Sequence, residues 1–397
     1  GGTMCPSYMA TRKEQDTTRA RANILRETIT QTDKINPFDN KEILEVMDLC
    51  LSCKGCKSEC PSNVDVAKLK AESAYQYYKV HGVPLRSKII GNTAKVNQIF
   101  SKIPWLYNGV MQGPLGTAIK KFTGFSTKRT LPLLANQTFE SWFKNYKQEG
   151  DFKNGSVNLY NDEFLNHNDV QIGKAAVQLL NKLGYKITVP KLSESGRTYL
   201  SKGMLDEAKV LATKNINALK SFSTSDEVMI GIEPSAILSF RDEYIDLSRG
   251  EQKELAQKIA AKTFLIEEFL ANEVDKGKVT SEQFTEVKER VRMHGHCFQK
   301  ALSSLVPLKK ILSLPKNYTV LNIPSGCCGM AGSFGYEKEH YEVSMQVGEL
   351  VLFPTIREEA EATIISASGT SCRHQISDGT GRKAKHPVEI LLEAVNK

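Results

Sequence analysis

No apolar run in this chain approaches the ~20 residues that a membrane-spanning helix requires, and no secretory signal pattern is visible. The 53 Lys and Arg against 45 Asp and Glu leave a net charge of +8, and the bases look scattered rather than gathered into a nucleic-acid stripe. A nucleic-acid partner is therefore not expected, while an acidic partner or an anionic membrane surface stays open. No G-x-G-x-x-G nucleotide loop occurs; Gly329–Gly335 is glycine-rich, but its spacing differs. The cysteines do not form an even, regularly spaced set. There are nine, in tight groups, which argues for metal ligation in a reducing compartment rather than for disulfides. With 397 residues, 40% hydrophobic and 25% charged, the chain reads as soluble and long enough for two or three domains. Its expected place is the cytoplasm, with peripheral contact at the inner face of the membrane.

Cys50, Cys53, Cys56 and Cys60-Pro61 follow the spacing C-x2-C-x2-C-x3-C-P. Three thiolates so spaced wrap one face of a [4Fe–4S] cluster, and the fourth ligates a different cluster. A structural zinc knuckle is the alternative, but it uses separated pairs and gives no reason for Cys-Pro. The rule leaves Cys50, Cys53 and Cys56 short of one ligand, and Cys5-Pro6 is the candidate. Cys60 would then serve a second cluster whose other cysteines lie upstream of Cys5. The chain begins Gly1-Gly2-Thr3-Met4, so it reads as a fragment cut between the third and fourth cysteines of its first motif. A one-cluster protein with Cys60 as a spare thiol is the competing reading.

The expected fold class is α + α/β. Residues 1–83 read as a helical, ferredoxin-like domain: Arg12–Thr30 favours helix, Asp39 or Asn40 caps Lys41–Leu51, and Asp65 caps a helix ending near Gly82. Arg12, Arg19, Arg21, Lys54 and Lys57 lie close in sequence to the ligands, where cations raise a cluster's potential unless they are only solvated surface charges. Residues 84–150 read as a helical linker region. Lys120, Lys121, Lys128 and Arg129 beside Phe122 and Phe125 offer a membrane or partner surface, but without a sustained amphipathic period an ordinary linker is the better reading. From 151 onward, short strands at Val157–Tyr160, Lys186–Val189, Val228–Ile232, Val320–Ile323 and Thr363–Ser366 alternate with helices such as Val170–Lys182, Leu205–Ser221 and His340–Leu352. That alternation implies parallel sheets.

This α/β region repeats itself. Phe164, Glu194-Ser195-Gly196 and Ala236 answer Cys297, Cys327-Cys328-Gly329 and Cys372, with the first step 30 residues in both copies. Residues 151–250 thus read as a copy without ligands and 251–397 as a metal-binding copy. Cys297, Cys327, Cys328 and Cys372 form a four-thiolate set suited to an irregular iron–sulfur cluster; zinc and metal-free structural thiols are the alternatives. His294 and His296 flank Cys297 and are the candidate catalytic residues, as ligand, substrate-orienting group or proton shuttle. His374 and His386 are weaker candidates.

The Cys327-Cys328-Gly329 run, framed by Cys297 and Cys372, resembles the cysteine-rich CCG domain. That domain occurs in heterodisulfide reductase B subunits, the glycolate oxidase iron–sulfur subunit and the anaerobic glycerol-3-phosphate dehydrogenase C subunit. Met4-Cys5-Pro6-Ser7, the Cys50–Pro61 run and Gly326–Gly335 together are similar to the C-terminal iron–sulfur half of FAD-linked oxidases of the D-lactate and D-2-hydroxyglutarate dehydrogenase type. The resemblance implies that an FAD domain, on the same polypeptide or a partner subunit, oxidises a D-2-hydroxy acid. This chain would pass the electrons to a quinone, an electron-transfer flavoprotein or a cytochrome, and would have no dehydrogenase activity alone. Glu194, Ser195 and Ala236 stand where a two-site CCG protein has cysteines, so one CCG-bound centre is expected. Two rivals remain at this stage: a CCG centre that is itself catalytic, as in heterodisulfide reductase, and a structural zinc module.

Overall fold

The computed structural model describes residues 4–396. Its N-terminal part is helical: α1 Pro6–Thr11, α2 Thr18–Thr30, α3 Lys41–Asp48, α4 Gly55–Glu59 and α5 Val66–His81. The Asn40 side chain accepts from the Glu42 N–H and Asp65 accepts from Ala67 and Lys68, so both anticipated caps are made. The helix expected from Arg12 starts only at Thr18. Arg12 is left-handed (φ 59°) and a 3-10 turn spans Glu14–Asp16, which breaks the first turn. The helix expected to reach Leu51 ends at Asp48, leaving the backbone before Cys50 free to loop. Leu25, Ile43, Met47, Cys56 and Val66 form a small core here, placing one cysteine among apolar side chains.

Five helices follow: α6 Leu85–Gly91, α7 Thr93–Phe100, α8 Pro104–Gln112, α9 Pro114–Thr123 and α10 Phe139–Asn145. Their attachments are uneven. In α6 the Gly91 carbonyl accepts from Thr198 Oγ1 at 2.8 Å, and in α10 Phe139 is fully buried. In contrast, α8 buries none of its residues.

Two four-stranded sheets complete the chain, with 56% of the structure helical. The first holds β1 Gly155–Leu159, β2 Tyr185–Thr188, β3 Met229–Gly231 and β4 Thr263–Leu265 in the order β2-β1-β3-β4. The second holds β5 Glu289–His294, β6 Tyr318–Asn322, β7 Ile364–Ala367 and β8 Ala384–Lys385 in the order β6-β5-β7-β8. All the pairings are parallel, and the two orders are the same pattern run twice. Parallel strands need helical crossovers, which bury them on both faces. One apolar cluster runs from Val157, Leu159 and Ile230 of the first sheet to Ile311 and Leu391 of the second half, so the halves share a core.

Candidate metal centres

Each cysteine loop near the N-terminus turns sharply at a residue that rarely adopts a left-handed backbone. Cys5 (φ 52°), Ser52 (51°) and Lys54 (60°) all do so. Such turns aim successive N–H groups inward, where they can face sulfur anions. Thr18 donates its N–H to Cys5 Sγ at 3.0 Å, with the Thr18 hydroxyl 2.6 Å from the same sulfur, and Val66 donates to Cys56 Sγ at 3.3 Å. Cys5, Cys50, Cys53 and Cys56 line one small cavity, walled also by Thr18 and Val66. Four cysteines lining one cavity, two of them with N–H donors on their sulfurs, are a donor set that could hold a cubane cluster.

Cys60 does not line that cavity. It lies at the end of α4, and the N–H groups of Val64 and Ser62 pull its thiol below the ordinary range. That leaves Cys60 outside the cavity that the other four line.

The second cysteine set sits where parallel strands end. Cys297 follows β5, Cys327 and Cys328 lie on the loop after β6, and Cys372 is in helix Thr370–Thr380 after β7. Sites in such folds gather at the carboxyl ends of the strands because those loops face one another. All four cysteines are buried. Gly329 (φ 97°) is required here: a Cβ would come within 2.3 Å of the Ser344 carbonyl oxygen. Gly369 is required sterically, since a Cβ would meet His296 Cδ2 at 2.4 Å.

The Cys297 thiol is pulled down to about 6, first by its hydrogen bond with Cys327, with burial working against it. Cys327 and Cys372 are pushed up, first by their hydrogen bonds to the neighbouring cysteines and then by burial. Packed and dry, four thiols cannot all ionise without a cation among them. Lys300 is close, but its amine is bound to the carbonyls of Ser325 and Gly326 at 2.5 and 2.8 Å. Burial lowers its pKa. A metal centre answers this charge problem better than one lysine does.

The histidines divide. His296 Nδ1 accepts from the Phe298 N–H at 3.2 Å and so caps helix Cys297–Leu302, while its Nε2 is 3.9 Å from Glu233. His294 Nδ1 is 2.7 Å from Ser325 Oγ, and its buried Nε2 makes no hydrogen bond. A His294 nitrogen, Cys328 Sγ and Cys372 Sγ lie within 4.8 Å of one another, so His294 faces the thiols. Both histidines are buried, which leaves neither at a solvent-facing substrate surface. His374 is held by the Tyr336 hydroxyl at 2.7 Å, and His386 caps helix Pro387–Ala394.

The first half shows what stands where the second half has cysteines, and it moves one correspondence by a residue. Asp162 caps helix Glu163–His167 as His296 caps Cys297–Leu302, so Glu163 rather than Phe164 takes the place of Cys297. Its carboxylate accepts from the Ser195 N–H at 2.8 Å and from Ser195 Oγ at 2.6 Å. Ser195 is the counterpart of Cys328, so a hydrogen-bonded pair stands where the other half brings thiols together. A step of constant length had concealed this, because the loop differs by one residue between the copies.

Lys54 is the residue whose weight sequence reasoning missed. It is buried, with its ammonium 2.9 Å from Asp65, 2.7 Å from Asp242 and 3.1 Å from Glu243. Those three carboxylates hold it charged despite burial. Lys54 and Arg197 both lie over the ring of Phe298, the residue after Cys297, at 5.5 and 4.8 Å. Arg21 is buried too and donates to Ser7 Oγ at 3.1 Å, whereas Arg12 and Arg19 are exposed. Lys57 is 2.5 Å from Asp242. Cys53 and Cys297 end up in the same apolar cluster.

Residues 2–65 match the family model of a 4Fe-4S dicluster domain. The chain is 26% identical over 367 residues to the D-2-hydroxyglutarate dehydrogenase of Escherichia coli K12, which covers 89% of this chain and 35% of that protein. It is 24% identical over 435 aligned positions to the Pseudomonas putida KT2440 enzyme of the same name, covering 98% and 41%. To the anaerobic glycerol-3-phosphate dehydrogenase C subunit of E. coli K12 it is 26% identical over 341 residues, covering 84% and 83%. These likenesses support an iron–sulfur, CCG-type part of oxidases of this kind. It spans between a third and about two-fifths of the length of the two D-2-hydroxyglutarate dehydrogenases, but most of the glycerol-3-phosphate dehydrogenase polypeptide. The context is that of an oxidoreductase, as the motifs led one to expect.

Proposed function

We propose that this chain is the electron-relay part of an FAD-linked dehydrogenase acting on a CH–OH group, of the D-2-hydroxy-acid type. Cys5, Cys50, Cys53 and Cys56 hold one [4Fe–4S] cluster. Cys60 contributes to a second, and Cys297, Cys327, Cys328 and Cys372 hold a third iron–sulfur centre. The clusters supply one-electron steps that a flavin, reduced by two electrons at once, needs in order to discharge. The chain's own residues position the sulfurs, exclude water and fix the spacing between centres. The partners are an FAD domain, on the same polypeptide or another subunit, and an acceptor that is a quinone, an electron-transfer flavoprotein or a cytochrome. The setting is cytoplasmic, peripheral at the inner face of the membrane.

The observation that carries this reading is the meeting of the two cysteine sets: Cys53 and Cys297 pack into one cluster, and Lys54 lies over Phe298. Neighbouring cofactors in one dry core are what a relay requires. The test is anaerobic reconstitution with iron and sulfide. The chain should be brown, and Cys5→Ser and Cys328→Ala should each remove a different reduced-state paramagnetic signal. A colourless, iron-free protein after reconstitution would overturn the proposal.

A second reading holds for the CCG centre alone. The grouping of His294 with Cys328 and Cys372 suits a tetrahedral zinc ion. Metal analysis giving stoichiometric zinc that His294→Ala releases, with no change in the first cluster's signal, would favour it.

A further inference from the structure

The surplus charge of this chain is concentrated in one segment. Between Glu72 and Glu140 there is no Asp or Glu, yet there are nine Lys and Arg. Outside it, 44 bases (53 less nine) face 45 acids, so the +8 of the whole chain belongs to these 67 residues. The scatter seen along the sequence conceals an imbalance of acids, not of bases.

The same segment carries apolar side chains facing water. Trp105 is 72% exposed and Phe122 84%, and Ile103, Leu106, Leu115 and Ile119 are exposed as well. Leu115, Ile119 and Phe122 recur at i, i+4 and i+7, so they share one face of α9. That stripe would belong in a core, yet it points outward. The adjoining α8 has no buried residue at all. In the same segment, Lys88, Lys102 and Lys121 are exposed and have no acidic partner among the described residues. No helix among the described residues is long and apolar enough to cross a bilayer.

We propose that α8 and α9 dock on an anionic lipid surface, with Trp105, Leu115, Ile119 and Phe122 entering the headgroup boundary and Lys102 and Lys121 meeting lipid phosphates. Helices with Trp, Phe and Leu on one side and Lys on the other lie in the plane of the interface. A second copy of the chain would bring like charge against like charge across this face. The core of a protein–protein interface is depleted in lysine. A negative, apolar sheet of lipid fits both features. The docking stands apart from the relay reading, because it is measured with no electron transfer and survives if the clusters are other than proposed.

The experiment uses the full, cluster-loaded chain with phosphatidylcholine vesicles, alone or with a third phosphatidylserine. Sedimentation should carry the protein down with the anionic vesicles and leave it in solution with the neutral ones. Raising salt should release it. Lys102→Ala with Lys121→Ala should weaken partition roughly 30-fold, from about fivefold per lysine. Phe122→Glu should abolish binding while leaving the far-ultraviolet circular dichroism and the urea midpoint unchanged, which shows the variant is folded. In a Trp142→Phe background Trp105 is the one tryptophan left, and its emission should shift to the blue on docking. The proposal fails if Phe122→Glu binds as the parent does. It also fails if neutral and anionic vesicles bind equally, or if the Trp105 shift follows protein concentration without vesicles, which would mean self-association.

Discussion

Replacing Lys54 by Met tests the joint between the two cysteine sets. The substitution keeps most of the side-chain volume and removes the one ammonium that touches three buried carboxylates. Breaking a buried ion pair by removing one partner costs about 3–5 kcal/mol, because charge is left without compensation. Here the loss is partly covered. Asp242 keeps Lys57 and Lys68, each at 2.5 Å, and Glu243 keeps Arg197 at 2.6 Å. Asp65 fares worst, with only Lys68 at 4.0 Å, although it still accepts from the Ala67 and Lys68 N–H groups. The low end, about 3 kcal/mol, is therefore expected, equivalent to a shift of over a hundredfold in the unfolding equilibrium. Urea unfolding of the metal-free, reduced chain measures it without interference from cluster loss. Adding Asp65→Asn to Lys54→Met should restore part of the loss, since Asp65 is the carboxylate left without a close cation and an asparagine can still cap the helix. A Lys54→Met midpoint equal to the parent's would refute the claim that this lysine ties the helical part to the sheets.

Other outcomes follow from particular groups. Glu267 is fully buried, and burial raises its carboxyl to about 7. The unfolded chain ionises this group near 4.5, so the folded state holds the extra proton between the two values. Stability should fall as pH rises from about 4.5 to about 7. Glu267→Gln should flatten that slope and add up to about 3 kcal/mol at pH 8, read from urea midpoints across the range. Gly329→Ala, which has to push against the Ser344 carbonyl from a left-handed backbone, should lose the CCG-centre signal while the first cluster's remains. Cys60→Ser should leave the signal of the cluster at Cys5, Cys50, Cys53 and Cys56 intact; losing it would refute the separation of Cys60 from that set. Both of these signals are read by paramagnetic resonance on the reduced protein.

Much of this was legible in the chain because certain features are local. The cysteine spacing, the Asn40 and Asp65 caps and helix Val170–Lys182 all depend on neighbours a few residues away. Strands β4 and β8 escaped notice because they are only three and two residues long. Strand β5 was hidden by Arg290 and Arg292, which interrupt its apolar run; in the fold both pair with Glu359 and Arg290 stays half exposed. Lys54 looked like surface charge because its partners Asp242 and Glu243 are nearly two hundred residues away. Glu163 was passed over because a one-residue difference in loop length moved the register. Pairings of that range are made by the tertiary fold, and spacing within one segment does not encode them.

The Glu163–Ser195 pair has a consequence for how the protein is made. A site closed by a carboxylate and a hydroxyl takes shape as soon as the chain folds, whereas a site closed by thiolates must wait for metal. The first sheet, together with the Asp242 that receives Lys54, can therefore stand before any iron arrives. If the proposed clusters form, a cell short of iron would accumulate chains with the dock already built and the wiring still to be installed.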